Sequence, residues 1–418
     1  MESIPRDKSL DSSLALLRDG YRFVQLRRQR HRSDIFQTRL MLEPAICIGG
    51  EEAARLFYDP ELFRRSDAVP KFVRKSLMGE GGVQVLDGEA HRHRKAMFLA
   101  LMDKPRIERL MALMAQQWQA AIRKWEANGQ VILFREAQDI LCRAACAWTG
   151  IPLKEEEVRA RARDMGAMVD GFGAIGPRHW RGRRARRRSE DWIMTLIERM
   201  RQETPDGTSE EMPLHRIARH RDLNGEWLDS RTAAVELLNL LRPIVAIATY
   251  IVFAAHALHR YPDAGRQLER EGGEYLECFT QEVRRFYPFT PFLGARVRRE
   301  FDWQGHNFRT GELVVLDVYG TNHDPRLWPE PDEFRPERFR RWKGSPFDFI
   351  PQGGGDHAAG HRCAGEWITI ESVKLALTFL TRFVTYEVPA QDLGFSLGRM
   401  PTGPRSGFVI SRIQVPRG

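Results

Sequence analysis

From residue 105 to 128 apolar side chains recur at helical spacing (PRIERLMALMAQQWQAAIRKWEAN) and stop at Asn128-Gly129, which predicts an amphipathic helix. The same period predicts further helices over about 135–148, 154–170 and 190–203. Residues 204–230 are polar and read as a loop or lid. The longest helical pattern follows, from Ser230 to Arg260, with Asp229 as its candidate N-cap and Tyr261-Pro262 as its stop. A helix of that length crosses the middle of the molecule. Helices continue through 263–287, and then the period changes. ARVRREFDWQGHNFRTGELVVLDVYG alternates between glycines, as a small antiparallel sheet does. A proline-rich meander (DPRLWPEPDEFRPERF) leads into a glycine-rich loop, a last helix over about 365–382 and a terminal hairpin. The first hundred residues mix short extended pieces with short helices. The expected class is mainly α, of the α+β kind: a large helical mass with a small antiparallel sheet region. No break in composition divides it, so residues 1–418 are expected to form one catalytic domain.

Composition narrows the class only a little. With 42% hydrophobic and 29% charged residues, disordered and disulfide-dense chains are excluded. The net charge of +9 invites a nucleic-acid reading, but residues 178–188 (RHWRGRRARRR) hold seven arginines and no acid, which leaves +2 for the rest. The basicity is one local run. The N-terminus is charged from its second residue and has no apolar stretch of the signal-peptide kind. The longest apolar run, residues 243–258, is shorter than the roughly 20 residues a spanning helix needs. Five widely spaced cysteines argue against a disulfide framework, so a reducing cytoplasm and no membrane span are expected.

The strongest chemical signal is FIPQGGGDHAAGHRCAGE over residues 349–366. It sets Cys363 after a glycine-rich loop and at the start of a helix, where backbone N–H groups stabilise a thiolate. Alone, a cysteine there reads as an inert small core residue. Two further clusters change that. Glu282 and Arg285 stand at i and i+3 on one helix face, close enough to pair. Arg338, in the meander PDEFRPERF, supplies a second guanidinium.

Together and in this order, these residues resemble the cytochrome P450 superfamily, over essentially the whole chain from about residue 20. The resemblance implies that Cys363 is the proximal ligand of a haem b iron, whose thiolate favours O–O cleavage. It also implies that Glu282, Arg285 and Arg338 form a structural triad behind the haem. The chain departs from the family at the loop, where about three residues are added (DHAA), His361 stands two residues before the cysteine and Arg362 beside it. It departs again in the central helix. The usual acid–alcohol pair is missing from LNLLRPIVAIAT, and Arg242 is followed by Pro243, which removes a helical hydrogen bond and opens or kinks the helix. A buried Arg242 needs an anion. Two partners are open: an internal one, such as Glu236, or the carboxylate of a substrate.

That Arg-Pro pair looks like the bacterial fatty-acid peroxygenases, and the stretches VQVLDGEAHRHRK (83–95), GPRHW (176–180) and RFYPFTPFLG (285–294) agree with them. The resemblance implies a haem-thiolate peroxygenase that uses hydrogen peroxide, with no redox partner, to hydroxylate long-chain fatty acids at the α or β carbon. Decarboxylation to terminal alkenes is an expected minor reaction. Arg242, Pro243 and Gln84 are the implied catalytic residues, with the substrate carboxylate on Arg242 as the acid–base group. Phe292 and Gly294 are expected to line the substrate site. His91, Lys95, Arg296, His361 and Arg362 are expected to meet the haem. Gln84 stands where the decarboxylating relatives carry histidine, which tilts the outcome toward hydroxylation. Two rivals stay open: a reductase-dependent haem-thiolate monooxygenase, and a non-catalytic haem or anion sensor that binds nucleic acid through 178–188. The latter has no recognisable nucleic-acid motif, and the run also reads as a solvated face, so no nucleic acid is expected as a partner. Cys142 and Cys146 share a helix face and read as core.

Overall fold

The computed structural model describes residues 4–203 and 211–416. The chain opens with helices α1 (Ser13–Asp19) and α2 (Phe23–His31), strands β1 (Ile35–Leu40) and β2 (Glu43–Gly49), helix α3 (Glu51–Phe57) and the short strand β3 (Phe63–Arg64). A helical turn α4 (Lys71–Val73) precedes α5 (Gly88–Leu101) and α6 (Lys104–Asn128). The Asp103 carboxylate caps α6 by accepting from the Arg106 N–H, and Gly129 ends it at φ +70°. Strand β4 (Gln130–Ile132) leads into α7 (Leu133–Thr149), α8 (Glu155–Asp170), α9 (Pro177–Gln202) and the short α10 (Pro213–Ala218). The predicted loop or lid over 204–230 thus contains a helix, and its residues 204–210 lie outside the described ones.

Helix α9 starts 13 residues before the expected position, so the arginine run is helical. The run misled the periodicity because some of its arginines are inward-facing. Arg186 is buried and pairs with Glu190 at 2.6 Å, one turn on. Gly182 lets α9 approach α8 closely: a Cβ there would lie 2.9 Å from the Ala167 carbonyl oxygen.

The central helix starts where its cap predicts, with the Asp229 carboxylate accepting from the Thr232 N–H at 2.9 Å. It runs as α11 (Ser230–Ala246) and α12 (Ala248–Arg260). Pro243 has no N–H to give the carbonyl one turn back, and the break falls at Ile247, whose N–H turns to the Ile244 carbonyl at 3.1 Å. Among the described residues Ser230–Arg260 is the one helix long and apolar enough to cross a membrane, and its apolar window is 94% buried inside the molecule.

After α13 (Pro262–Glu271) and α14 (Gly273–Phe286) come β5 (Phe292–Val297), β6 (Phe301–Trp303), β7 (His306–Phe308), β8 (Leu313–Asp317), α15 (Val318–Asn322), α16 (Arg338–Arg341), α17 (Glu366–Thr378), β9 (Thr385–Glu387) and β10 (Val409–Gln414). The main sheet has the order β1-β2-β8-β5-β3, and its β2–β8 pair is parallel, so the sheet is mixed rather than antiparallel. The terminal strands flank residues 388–408 instead of a tight turn, and β10 also pairs with β4. One core cluster runs from Met97 to Ile413 around α6, α7, α11 and α12, with Cys142 and Cys146 fully buried in it.

Candidate active site

Cys363 sits two residues before the N-cap of α17. Its N–H donates to the Gln352 carbonyl at 3.2 Å, and the Gln352 side-chain amide approaches Sγ at 3.9 Å. Burial pushes the Cys363 thiol up and Glu366 adds to this, while the Gly365 N–H, Lys95 and Arg284 act the other way. The helix start alone therefore does not hold a thiolate here. Coordination to a metal would, because a ligating thiol is deprotonated outright.

Behind this loop every buried charge has a partner. Glu282 and Arg285 form a fully buried two-point pair at 2.8 Å on both arms. Arg338 joins Glu282 at 3.2 Å, and Glu282 also accepts the Arg335 N–H at 2.8 Å. Both guanidiniums go on to backbone carbonyls, Asn322 at the end of α15 and Pro331 of the meander for Arg285, Pro329 of the meander for Arg338. The sequence-predicted triad is thus brought together, and it ties α14 to the segment that carries the cysteine loop. Beside it, Glu366 binds both Arg284 and Arg362, the latter at 2.6 Å.

A second cluster lies at the start of α5. The His91 and His361 rings stack with centroids 3.8 Å apart. Lys95 donates to the carbonyls of Gly360 and Arg362, the latter at 2.8 Å. Arg65 stacks on Phe57 with its guanidinium carbon 4.0 Å from the ring centre, and its Nη1 has no hydrogen-bond partner among the described residues. Burial pushes these groups down: His91 to about 4, Lys95 to about 8 and Arg65 to about 10. Asp87 lies beside them, 3.9 Å from His361, with its oxygens accepting from the Arg65 and Ser66 N–H groups, so the basic groups outnumber it and suit the carboxylates at the edge of a cofactor.

Arg296 and Arg362, also expected at those carboxylates, have protein partners of their own in this structure. Arg296 binds Glu43 and the carbonyls of Asp67 and Gly311, and Arg362 turns to Glu366. Phe292 packs with Tyr21, Tyr319 and Met400, and Gly294 faces the Ala68 carbonyl.

The remaining cluster is on α11. Glu236, Asn239 and Arg242 follow at three-residue steps and share one face. Glu236 is fully buried, but its partner is Arg94 of α5, at 2.7 Å, and not Arg242. Asn239 donates to Glu236 at 2.9 Å and to the Gln84 side-chain oxygen at 3.2 Å. Arg242 has only a long bond to the Asn239 oxygen, at 3.4 Å, and its Nε has no partner among the described residues. Burial pushes Arg242 down to about 9, and Arg186 adds to this while the nearby Cys363 opposes it. The internal salt bridge to Glu236 is overturned: among the described residues the buried Arg242 pairs with no acid, and Asn239 links it to Gln84. Sequence reading missed Arg65, Arg94 and Asn239. The E-x-x-N-x-x-R spacing signalled the last, whereas the arginines carried no local sign.

A haem b needs a thiolate on one face, an apolar slot and cations at its carboxylate edge. Cys363, the α11–α12 core helix and the cluster of Arg65, His91 and Lys95 fit those needs, and haem b is the cofactor.

Residues 267–400 match the cytochrome P450 family model. Cytochrome P450 3A17 of Cavia porcellus is 28% identical over 193 residues, which is 40% of this chain and 38% of that protein, so the match spans well under half the length of such curated relatives. The solved structures agree over far more. Cytochrome P450EX alpha (CYP152N1) with myristic acid is 45% identical with a TM-score of 0.95, and a variant of cytochrome P450 OleT in complex with arachidonic acid is 37% identical with a TM-score of 0.96. Each covers 100% of both chains. With the cysteine loop, the Glu282–Arg285–Arg338 cluster and this full-length likeness, the chain belongs to the cytochrome P450 family, in the branch of P450EX alpha and OleT.

Proposed function

We propose that this chain is a haem-thiolate peroxygenase that uses hydrogen peroxide to hydroxylate long-chain fatty acids at the α or β carbon, with terminal alkenes as a minor product. The observation that carries it is Arg242, a buried cation with no acidic partner among the described residues. Myristic and arachidonic acids in the structures of the two relatives support the substrate class. Bound through Cys363, haem supplies an iron centre at which peroxide is activated and its O–O bond cleaved.

The chain's residues do the rest. Arg242 takes the substrate carboxylate, and its planar fork sets that group's orientation. Glu236 cannot act as the acid–base group, because Arg94 and Asn239 occupy its oxygens. The bound carboxylate replaces it and moves a proton between the two peroxide oxygens. Asn239 holds Gln84 beside this position and steadies Arg242. Pinning the carboxylate limits the reachable C–H bonds to those next to it. His91, Lys95 and Arg65 meet the haem carboxylates. In this reading residues 1–418 act as one cytoplasmic domain that needs neither a redox partner nor nucleic acid. Arg178, Arg186 and Arg188 of the arginine run support the last point, since they pair with Asp170, Glu190 and Asp164.

The test is product analysis after mixing haem-loaded protein, myristic acid and peroxide without reductant. Hydroxymyristic acid supports the reading. Turnover that appears only with a reductase and dioxygen gives the monooxygenase rival its place.

A further inference from the structure

The two-residue turn between β1 and β2 is built from the wrong amino acids for its shape. Met41 and Leu42 both sit at left-handed φ, +53° and +64°, where such turns favour Asn-Gly. Both side chains are nevertheless exposed, Leu42 at 76%. The start of α1 holds the turn in place: the Leu42 N–H donates to Asp11 at 2.6 Å and the Met41 N–H to Ser13 at 2.7 Å. That segment adds Leu10 at 87% and Leu14 at 82% exposure. Four large apolar side chains thus stand together in water on a strained, pinned scaffold. A turn kept for shape alone would relax to better turn residues, so these side chains point to a role outside the fold.

Next to them lies a second apolar rim. Leu16 of α1 and Phe172, just after α8, pack on one cluster with Met400. From there the chain exposes Ile175 and then Trp180, beside Arg181, Arg184 and Arg188 in one shallow groove on α9. Phe72 of α4, half-exposed, meets the His179 ring at 5.8 Å. Twelve residues later the same strand of chain reaches Gln84. Lys8, Arg39, Lys71, Arg181 and Arg184 are exposed around this face, while Asp11 accepts from the Leu42 and Ser13 N–H groups, Glu43 pairs with Arg296, and Asp170 with Arg178 and Arg399. Apolar tips within a basic surround match an anionic lipid surface.

We propose that the face bearing Leu10, Leu14, Met41, Leu42, Ile175 and Trp180 docks peripherally on an anionic lipid bilayer. It rests on the fatty-acid reading above, which makes such a surface the place where the substrate partitions. The experiment is flotation of the holoenzyme with vesicles of phosphatidylcholine alone or with added phosphatidylglycerol. Binding should need the anionic lipid and weaken at high salt. The informative variant is Met41→Asn/Leu42→Gly, which suits the turn better. Its thermal midpoint should rise while vesicle affinity falls about tenfold or more. Trp180→Ser should lower affinity as well. No flotation of the wild type at low salt, or unchanged flotation of the double variant, overturns the proposal. So does sedimentation as a dimer that the double variant dissolves without any vesicle binding, which would assign the face to a second copy. Turnover of dispersed myristic acid with peroxide is measured in parallel: if it persists while flotation fails, docking falls and the function stands.

Discussion

The two sides of the haem slot treat buried charge in opposite ways. Behind Cys363, Glu282 is matched by Arg285 and Arg338, and Glu366 by Arg284 and Arg362. On α11, Glu236 is matched by Arg94, and Arg242 stays without an acid among the described residues. Glu282, Glu366, Glu236 and Arg242 are all buried, so burial alone does not separate the two sides. A charge neutralised by its own chain has a structural role, whereas one left in excess waits for a ligand.

Removing one arginine from each side breaks this comparison most sharply. Arg242→Ala should cut peroxide-driven fatty-acid turnover by about a hundredfold to several thousandfold, from roughly 3–5 kcal/mol of lost pairing to the substrate. Its thermal midpoint should hold or rise, because an uncompensated buried charge is gone. Arg242→Lys should rescue only in part, since it lacks the fork. Arg285→Ala should do the reverse, costing about 3–5 kcal/mol of stability, because it breaks the two-point pair and leaves the buried Glu282 to the more distant Arg338. Denaturant melts and peroxide assays on all three, at matched haem content, check this. Wild-type turnover in Arg242→Ala would sink the substrate-assisted mechanism.

A half-buried group kept neutral sharpens the contrast. His256 bonds the Tyr287 hydroxyl at 2.9 Å, and burial pushes it down to about 4, with His259 and Arg260 adding. The unfolded chain takes up this proton near pH 6.5, the folded one only near 4. Stability is therefore complete above about 6.5 and falls as pH drops toward 4, by up to about 1.4 kcal/mol per pH unit. Melting curves across that window should slope, and His256→Phe should make the slope shallower, with His220 and His323 still contributing. An equal slope in both proteins removes His256 as the cause.

Smaller effects come from the link between the paired and unpaired charges. Asn239→Leu leaves one Glu236 oxygen and the Gln84 oxygen without their donor, at about 1–3 kcal/mol. Because Arg242 loses its one anchor, KM for the fatty acid should rise while Cys363 ligation, read from the carbon monoxide difference spectrum, is kept. Gln84→His places a titratable ring at the same spot and should move some product from hydroxy acid to alkene. An unchanged product ratio would mean that residue 84 does not face the substrate.

Much of this contrast is legible in the amino-acid sequence. Asp229 marks the start of the central helix, Asn128-Gly129 the end of α6, and E-x-x-R with the cysteine loop marks the paired side, because caps and i, i+3 pairs act within one turn of chain. Arg242-Pro243 stands out for the same reason, as a local rule broken inside an apolar run. Sequence alone thus determined the helical mass, the cysteine and the odd cation. Tertiary structure decided what the cation pairs with. Glu236, six residues away along the helix, lies nearer in sequence than Arg94, which is 142 residues distant from it and takes its charge. It decided, too, that β2 and β8 run parallel, that the arginine run begins a helix, and that Arg65 joins His91. Each rests on a contact between segments far apart in the chain, and local pattern carries no record of which distant group will supply the matching charge or hydrogen bond.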